Sequence, residues 1–290
     1  MPAEEQITPL LRRSSALVPL KSWGKIGIQF ILNMFNNEAI ILCMLPTLRG
    51  IIARRVLLNF RADPHVAQSM LPEPFVVKTY NGAAIVGICL IRLEQLRPKG
   101  FPSRVGMASE NVAHRIAVHY PIKGGMRSGV FIWRRETDQK LVQMFGGRLF
   151  PGVHHGATFS VQENECQICM DVKSDDGETD VSFSATTTTN WQPTSAFKSL
   201  DEASEFFQNG DCGFSCSLDQ RSVEGMQLKI SQWSVKPLAV QLKKAAFYSR
   251  SSRFPKGSVE FDCGLLMRAV PHEWHQIKNI SVLNTASLLR

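Results

Sequence analysis

From residue 51 onward the apolar positions fall in short, β-branched blocks broken by turn residues, rather than at helical spacing. Residues 51–60 form the first such block, a strand. Asp63-Pro64 then starts a helix, with Asp63 as cap and proline at the first helical position, and Leu71-Pro72 ends it. Residues 75–80 and 83–93 flank Asn81-Gly82, a two-residue hairpin signal. Residues 109–120 and 129–135 are two more strands joined by a Pro- and Gly-containing loop, and 136–144 a short helix. The second half continues with strands at 157–161, 166–172, 181–188, 213–218, 226–235 and 259–267. Between them, Ser199 and Glu202 have capping-box spacing and open a helix through Phe207.

Many strands with few short helices predict an α+β fold that is predominantly antiparallel β, its sheets curved or closed around an interior. No linker or repeat divides the chain. The expected organisation is an N-terminal extension over 1–44, poorly ordered or loosely helical, one domain over 45–275, and a tail over 276–290. Met34 and Met44 both precede the domain start, so residues 1–43 are candidates for sequence outside the native product.

Composition narrows the function classes. The net charge of +8 attracts anions in general, but the basic residues are scattered, with no dense Lys/Arg stripe, so nucleic-acid binding is not expected. Residues 26–45 are apolar yet carry Gln29, Asn33, Asn36, Asn37 and Glu38, which argues against a membrane span. Seven cysteines and no secretion signal point to reduced thiols in the cytoplasm. Cys166 and Cys169, with Cys212 and Cys216, have a superficial zinc spacing. Cys166 and Cys169 sit in a strand-like run that aims them at opposite faces, and buried thiols are the expectation. No metal or cofactor is implied. Phosphate-binding loops, the nucleophile elbow and the His-Glu-x-x-His helix are all missing from the sequence.

Two segments carry candidate chemistry. In the 109–115 strand, alternation puts Glu110, Val112 and His114 on one face, and Asn111, Ala113 and Arg115 on the other. Ionisable groups on both faces need either internal partners or a cavity. Residues 146–157 crowd Gly146, Gly147, Arg148, a Pro151-Gly152 turn and the His154-His155 pair between apolar residues. Arg148 could hold a carboxylate bidentately; adjacent histidines in an extended chain point opposite ways, so one at most enters a given cavity. His272 and His275 form a further polar cluster with Trp274, expected to cap and pack a terminal turn.

Taken in order, several blocks resemble the YqjF-like proteins, an uncharacterised bacterial family of the acetoacetate decarboxylase-like superfamily. They are Leu71-Pro72-Glu73-Pro74-Phe75, Gly82 with the strand ending at Arg92, Glu110-Asn111, Gly129-Val130-Phe131, Arg148 to Ala157, Ser199 to Glu202, and Phe261-Asp262 to Trp274. The likeness spans residues 51–275 and implies curved antiparallel sheets around a central cavity. In the decarboxylases a lysine after a Gly-Arg-Glu…Pro-Lys-Lys pattern forms an imine with the β-keto acid. Aligned on Gly147-Arg148 and Gly152, this chain has Leu149 for the glutamate, and His154, His155 and Gly156 for Pro-Lys-Lys. Imidazole forms no stable imine with a ketone, so Schiff-base decarboxylation is not carried over. Lys78, Lys229 and Lys236 lie in strand-like segments with no motif around them.

The resulting expectation is a cavity for a small carbonyl or carboxylate compound. Glu110, His155 and His154 are the candidate acid–base groups, and Arg148, Asn111 and Arg115 the binding groups. Whether the chain is an enzyme is left open, as is its oligomeric state. If it is one, it is a lyase-like or other acid–base enzyme rather than a Schiff-base decarboxylase. The other reading is a non-catalytic ligand-binding or structural protein whose own side chains fill the cavity.

Overall fold

The computed structural model describes residues 12–13, 47–145 and 151–281. The readings made on the N-terminal extension and on Gly146, Gly147, Arg148 and Leu149 lie outside the described residues.

The chain forms β1 (Arg12–Arg13), β2 (Leu48–Ala62), α1 (Pro64–Ser69), β3 (Val76–Val77), β4 (Thr79–Tyr80), β5 (Ala83–Pro98), β6 (Met107–Ile122) and β7 (Gly125–Thr137). It continues through α2 (Lys140–Phe145), β8 (His154–Glu163), β9 (Gln167–Ser174), β10 (Asp180–Thr187), α3 (Leu200–Gln208), β11 (Cys212–Cys216), β12 (Ser222–Ile230), β13 (Lys236–Ala245), α4 (Ala246–Ser249) and β14 (Val259–Ser281). The local signals act as their chemistry dictates. Asp63 Oδ1 accepts from the amides of His65 and Val66, capping α1. Asn81 and Gly82 both take positive φ, 47° and 79°, as a tight hairpin turn demands. Ser199 Oγ accepts from the Glu202 amide, but Glu202 reaches the amide of Lys198 and the Tyr80 hydroxyl rather than Ser199, so the box closes one residue early.

The strands pair in the order β1-β8-β9-β10-β13-β14-β12-β11-β7-β6-β5-β2, and two further pairings, β7 with β8 and β2 with β14, close this path on itself. The result is two rings that share a wall of five strands, β7-β6-β5-β2-β14. The first ring is completed by β11 and β12, the second by β8, β9, β10 and β13. A wall with an interior on each face explains why β5 reads as an almost unbroken apolar run: both sets of alternating side chains are buried. Val56, Leu58, Val86, Ile88, Val112 and Ile116 belong to the core of the second ring. Leu57, Ile85, Cys89, Ile91 and Leu265 face the first, where α3 adds Phe206 and Phe207.

Two departures from the sequence reading have clear causes. β14 is a 23-residue strand that runs on to Ser281 because it serves both rings, pairing with β13 near its start and β12 near its end. His272 and His275 therefore sit within a strand, not in a terminal turn. The strand β13 has little alternation, with most of its residues exposed or half-buried, and its sequence did not stand out.

Candidate functional site

A cavity of about 510 Å³ lies inside the first ring and is lined from all seven of its strands. Apolar walls come from Ile91, Leu93, Val130, Ile132, Trp233 and Trp274, with Phe207 of α3 at one end. That volume falls in the range typical of small-molecule pockets. Ser109, Asn111, Ala113 and Arg115 of β6 line it, as does Val112 from the other set, while Glu110 and His114 do not, so the alternation read from the sequence holds for the polar and ionisable residues of the strand.

Three arginines enter the cavity: Arg55, Arg115 and Arg135. Among the described residues none of them forms an ion pair with a carboxylate. Arg55 Nε donates to Cys89 Sγ at 3.3 Å, Arg115 Nη2 to Asn59 Oδ1 at 2.5 Å, and Arg135 Nε to Ser215 Oγ at 3.0 Å. Arg115 is 4% exposed and its Nε has no acceptor. Burial pushes Arg115 and Arg135 down to about 10, and the nearby Cys89 sulfur opposes that drop in both. Both guanidiniums stay charged at neutral pH.

Arg135 reaches the cavity through a β-bulge. On β6, His114 pairs with Arg134 and Arg115 with Ile132, which leaves Trp133 of β7 as an extra residue. Beyond it the phase of β7 reverses, so Arg135 takes the cavity side and Arg134 the other. Arg134 bonds Glu136 and Asp176 there.

His154 also lines the cavity, where β8 begins and pairs in parallel with Arg135. Burial, with the charge of Arg135 second, holds its imidazole down at about 3, so it is neutral at ordinary pH. Its Nδ1 lies 3.3 Å from the Gly152 carbonyl, the turn before it. That turn needs glycine: φ is +77°, and a Cβ would sit 2.6 Å from Ser215 Cβ. Glu224 fixes it by accepting from the Gly152 amide at 2.9 Å.

The remaining sequence candidates are placed elsewhere. Glu110 is buried on the opposite face of the wall, bonded to Arg54 at 2.5 Å and to Arg92 at 3.2 Å. Arg268, Arg54, Arg92 and Glu110 form a cross-strand row, and Glu163 of β8 bonds both Arg54 and Arg268. Glu110, expected among the acid–base groups of the cavity, is therefore placed outside its lining, with its carboxylate engaged by Arg54 and Arg92. His155 is likewise outside it: it points away from the cavity, half exposed, with Nδ1 3.6 Å from Asp176. Asn111 and Arg115 do line the cavity. Sequence reasoning missed Arg55, Arg135 and Cys89. The Arg54-Arg55 and Arg134-Arg135 doublets were visible, but nothing in them says which member faces inward.

The four cysteines with zinc-like spacing do not converge. Cys166 and Cys169 are exposed at β9, and Cys212 is buried in β11. Among the described residues no helix is long and apolar enough to cross a membrane.

The comparisons agree with this architecture. Residues 52–257 match the DUF2071 family, described as an uncharacterized conserved protein, and the chain belongs to that family. Its fold is that of the acetoacetate decarboxylase-like enzymes. It superposes on one from Sphingomonas wittichii RW1 with a TM-score of 0.53 at 11% identity, covering 85% of this chain and 97% of that one. It also superposes on the enduracididine biosynthesis enzyme MppR complexed with pyruvate, with a TM-score of 0.51 at 10% identity, covering 85% and 93%. At such identities the likeness is one of fold. No curated protein matches the chain significantly.

Proposed function

We propose that this DUF2071 protein binds a small carboxylate-bearing carbonyl compound in the cavity of its first ring, without a Schiff-base lysine. The observation that carries this reading is the set of three cavity arginines that no carboxylate of the described protein neutralises. A buried guanidinium without a counter-charge costs stability, so its retention fits a ligand that supplies the charge. Arg115 and Arg135 would hold the carboxylate, with Arg55 and Asn111 beside them, and Trp233 and Trp274 would pack on the remainder. The ligand of the MppR structure, pyruvate, is of this chemical class.

Binding is better supported than proton transfer. The acidic groups bordering the cavity are engaged, Asp211 with Arg127 and Gln227, and Glu136 with Arg134 and Thr179. A histidine held near 3 is a weak base at neutral pH. Lys229, which lines the cavity, is an exposed residue rather than a buried amine. The side chains of the described residues leave about 510 Å³ of the cavity open, which disfavours a cavity filled by them.

The test is a thermal-shift series at fixed ionic strength, comparing pyruvate and acetate with the neutral analogues acetone and acetamide. The carboxylates should raise the melting temperature and the neutral compounds should not, since only a ligand of the folded state stabilises it. Equal shifts from chloride, or none from any carboxylate, would overturn the reading. Borohydride treatment in the presence of pyruvate should leave every lysine unmodified by mass spectrometry.

A further inference from the structure

The cavity contains a thiol in an unusual position. Cys89 lines it from β5, and the strand register surrounds it with the three arginines. Its cross-strand partners are Leu57 on one side and Ala113 on the other, and Ala113 in turn pairs with Arg135. Arg55 stands two residues along from Leu57, and Arg115 two along from Ala113, so both are diagonal neighbours on the same face. Cys89, Ala113 and Arg135 thus follow one another across three strands, and all three line the cavity. Arg55 Nε donates directly to Sγ at 3.3 Å. The unsatisfied Nε of Arg115 is a second sign that this corner is built for something it does not itself contain.

We propose that Cys89 is a nucleophile that adds to the electrophilic carbonyl of an anionic ligand held by Arg55, Arg115 and Arg135. This rests on the anion-binding reading of the cavity. The Arg55 hydrogen bond holds Sγ at the cavity wall, within the same lining as the three guanidiniums, and a thiol is a strong nucleophile toward carbonyl carbon. In the step, the sulfur lone pair forms an S–C bond to the carbonyl carbon, and the π electrons move to the carbonyl oxygen. The thiol proton ends on that oxygen, giving a hemithioacetal or hemithioketal with no net redox change. An adjacent guanidinium is placed to stabilise the oxyanion on the way.

The experiment uses the full chain, alkylated with limiting iodoacetate or iodoacetamide and followed cysteine by cysteine through peptide mapping. The exposed Cys166 and Cys169 serve as internal references for the reagents and for the protein's overall positive charge. Measured against them, Cys89 should prefer the anionic reagent by about tenfold, the equivalent of one favourable charge contact in the transition state. Glyoxylate, an anion with an electrophilic aldehyde, should protect Cys89 from iodoacetamide better than acetate does, and Arg55→Gln should erase the preference for iodoacetate. A Cys89 that reacts with neither reagent in the folded protein, or that shows the same preference as the exposed thiols, overturns the proposal. If pyruvate and acetate still raise the melting temperature in that case, the thiol assignment alone fails and the anion site stands. If they do not, both fail.

Discussion

Arg54 and Arg55 are neighbours in one strand, as Arg134 and Arg135 are in another, yet the members of each pair inhabit opposite electrostatic settings. Arg54 and Arg134 face the second ring and are saturated with carboxylates: Glu110 and Glu163 for one, Glu136 and Asp176 for the other. Arg55 and Arg135 face the first ring, where no described carboxylate pairs with them. The five-strand wall separates a side whose charges are balanced internally from one whose charges are not. The imbalance, more than any motif, is what carries the proposed ligand site on that side.

The contrast can be broken most sharply on the balanced side. Glu110→Gln should cost about 3 kcal/mol by urea denaturation, because it leaves Arg54 buried without its nearest counter-charge. A loss below about 1 kcal/mol would mean that the row relaxes or hydrates, and the comparison would lose its basis. On the other side, Arg135→Met should change stability by no more than about 1 kcal/mol, since it removes an uncompensated cation along with one hydrogen bond. The same variant should weaken pyruvate binding at least about tenfold, read by thermal shift or calorimetry.

A third expectation concerns pH. His154 and His272 are held at about 3 and about 4 in the folded protein, both chiefly by burial, against an ordinary 6.5. As pH falls below 6.5 the unfolded chain takes up protons that the folded form refuses, so stability is fullest above 6.5 and declines toward pH 4. Melting temperatures measured across that window should fall steadily. A flat profile would mean that these rings are hydrated in solution. The smallest effect belongs to the outward histidine: His155→Gln should alter stability by less than about 0.5 kcal/mol, and carboxylate binding not measurably.

How much of this was legible in the sequence follows the same division. Strand blocks, the Asn81-Gly82 hairpin, the Asp63 and Ser199 caps and the alternation of 109–115 could be read because each depends on residues close in the chain. The family likeness pointed to the curved, closed antiparallel sheet. What could not be read was anything that depends on phase across strands. The bulge at Trp133 decides that Arg135 rather than Arg134 faces inward, and no local signal marks it. Glu110 looked like a catalytic acid because its partners, Arg54, Arg92 and Asp138, lie far from it in sequence. Cys89 looked like one more core residue in an apolar run, since its neighbours Arg55 and Arg115 are supplied by other strands.

The shared wall has a consequence for how such a protein can diversify. Because alternate residues answer to different compartments, point substitutions at Arg55, Cys89, Asn111, Ala113 or Arg115 can change the lining of the cavity while the opposite core keeps its packing. A single-residue insertion or deletion in β5 or β6 has the reverse character, exchanging the two sets of side chains at one stroke. Changes in the cavity lining among such chains should therefore accumulate as substitutions at alternating positions, with the lengths of the central strands held fixed.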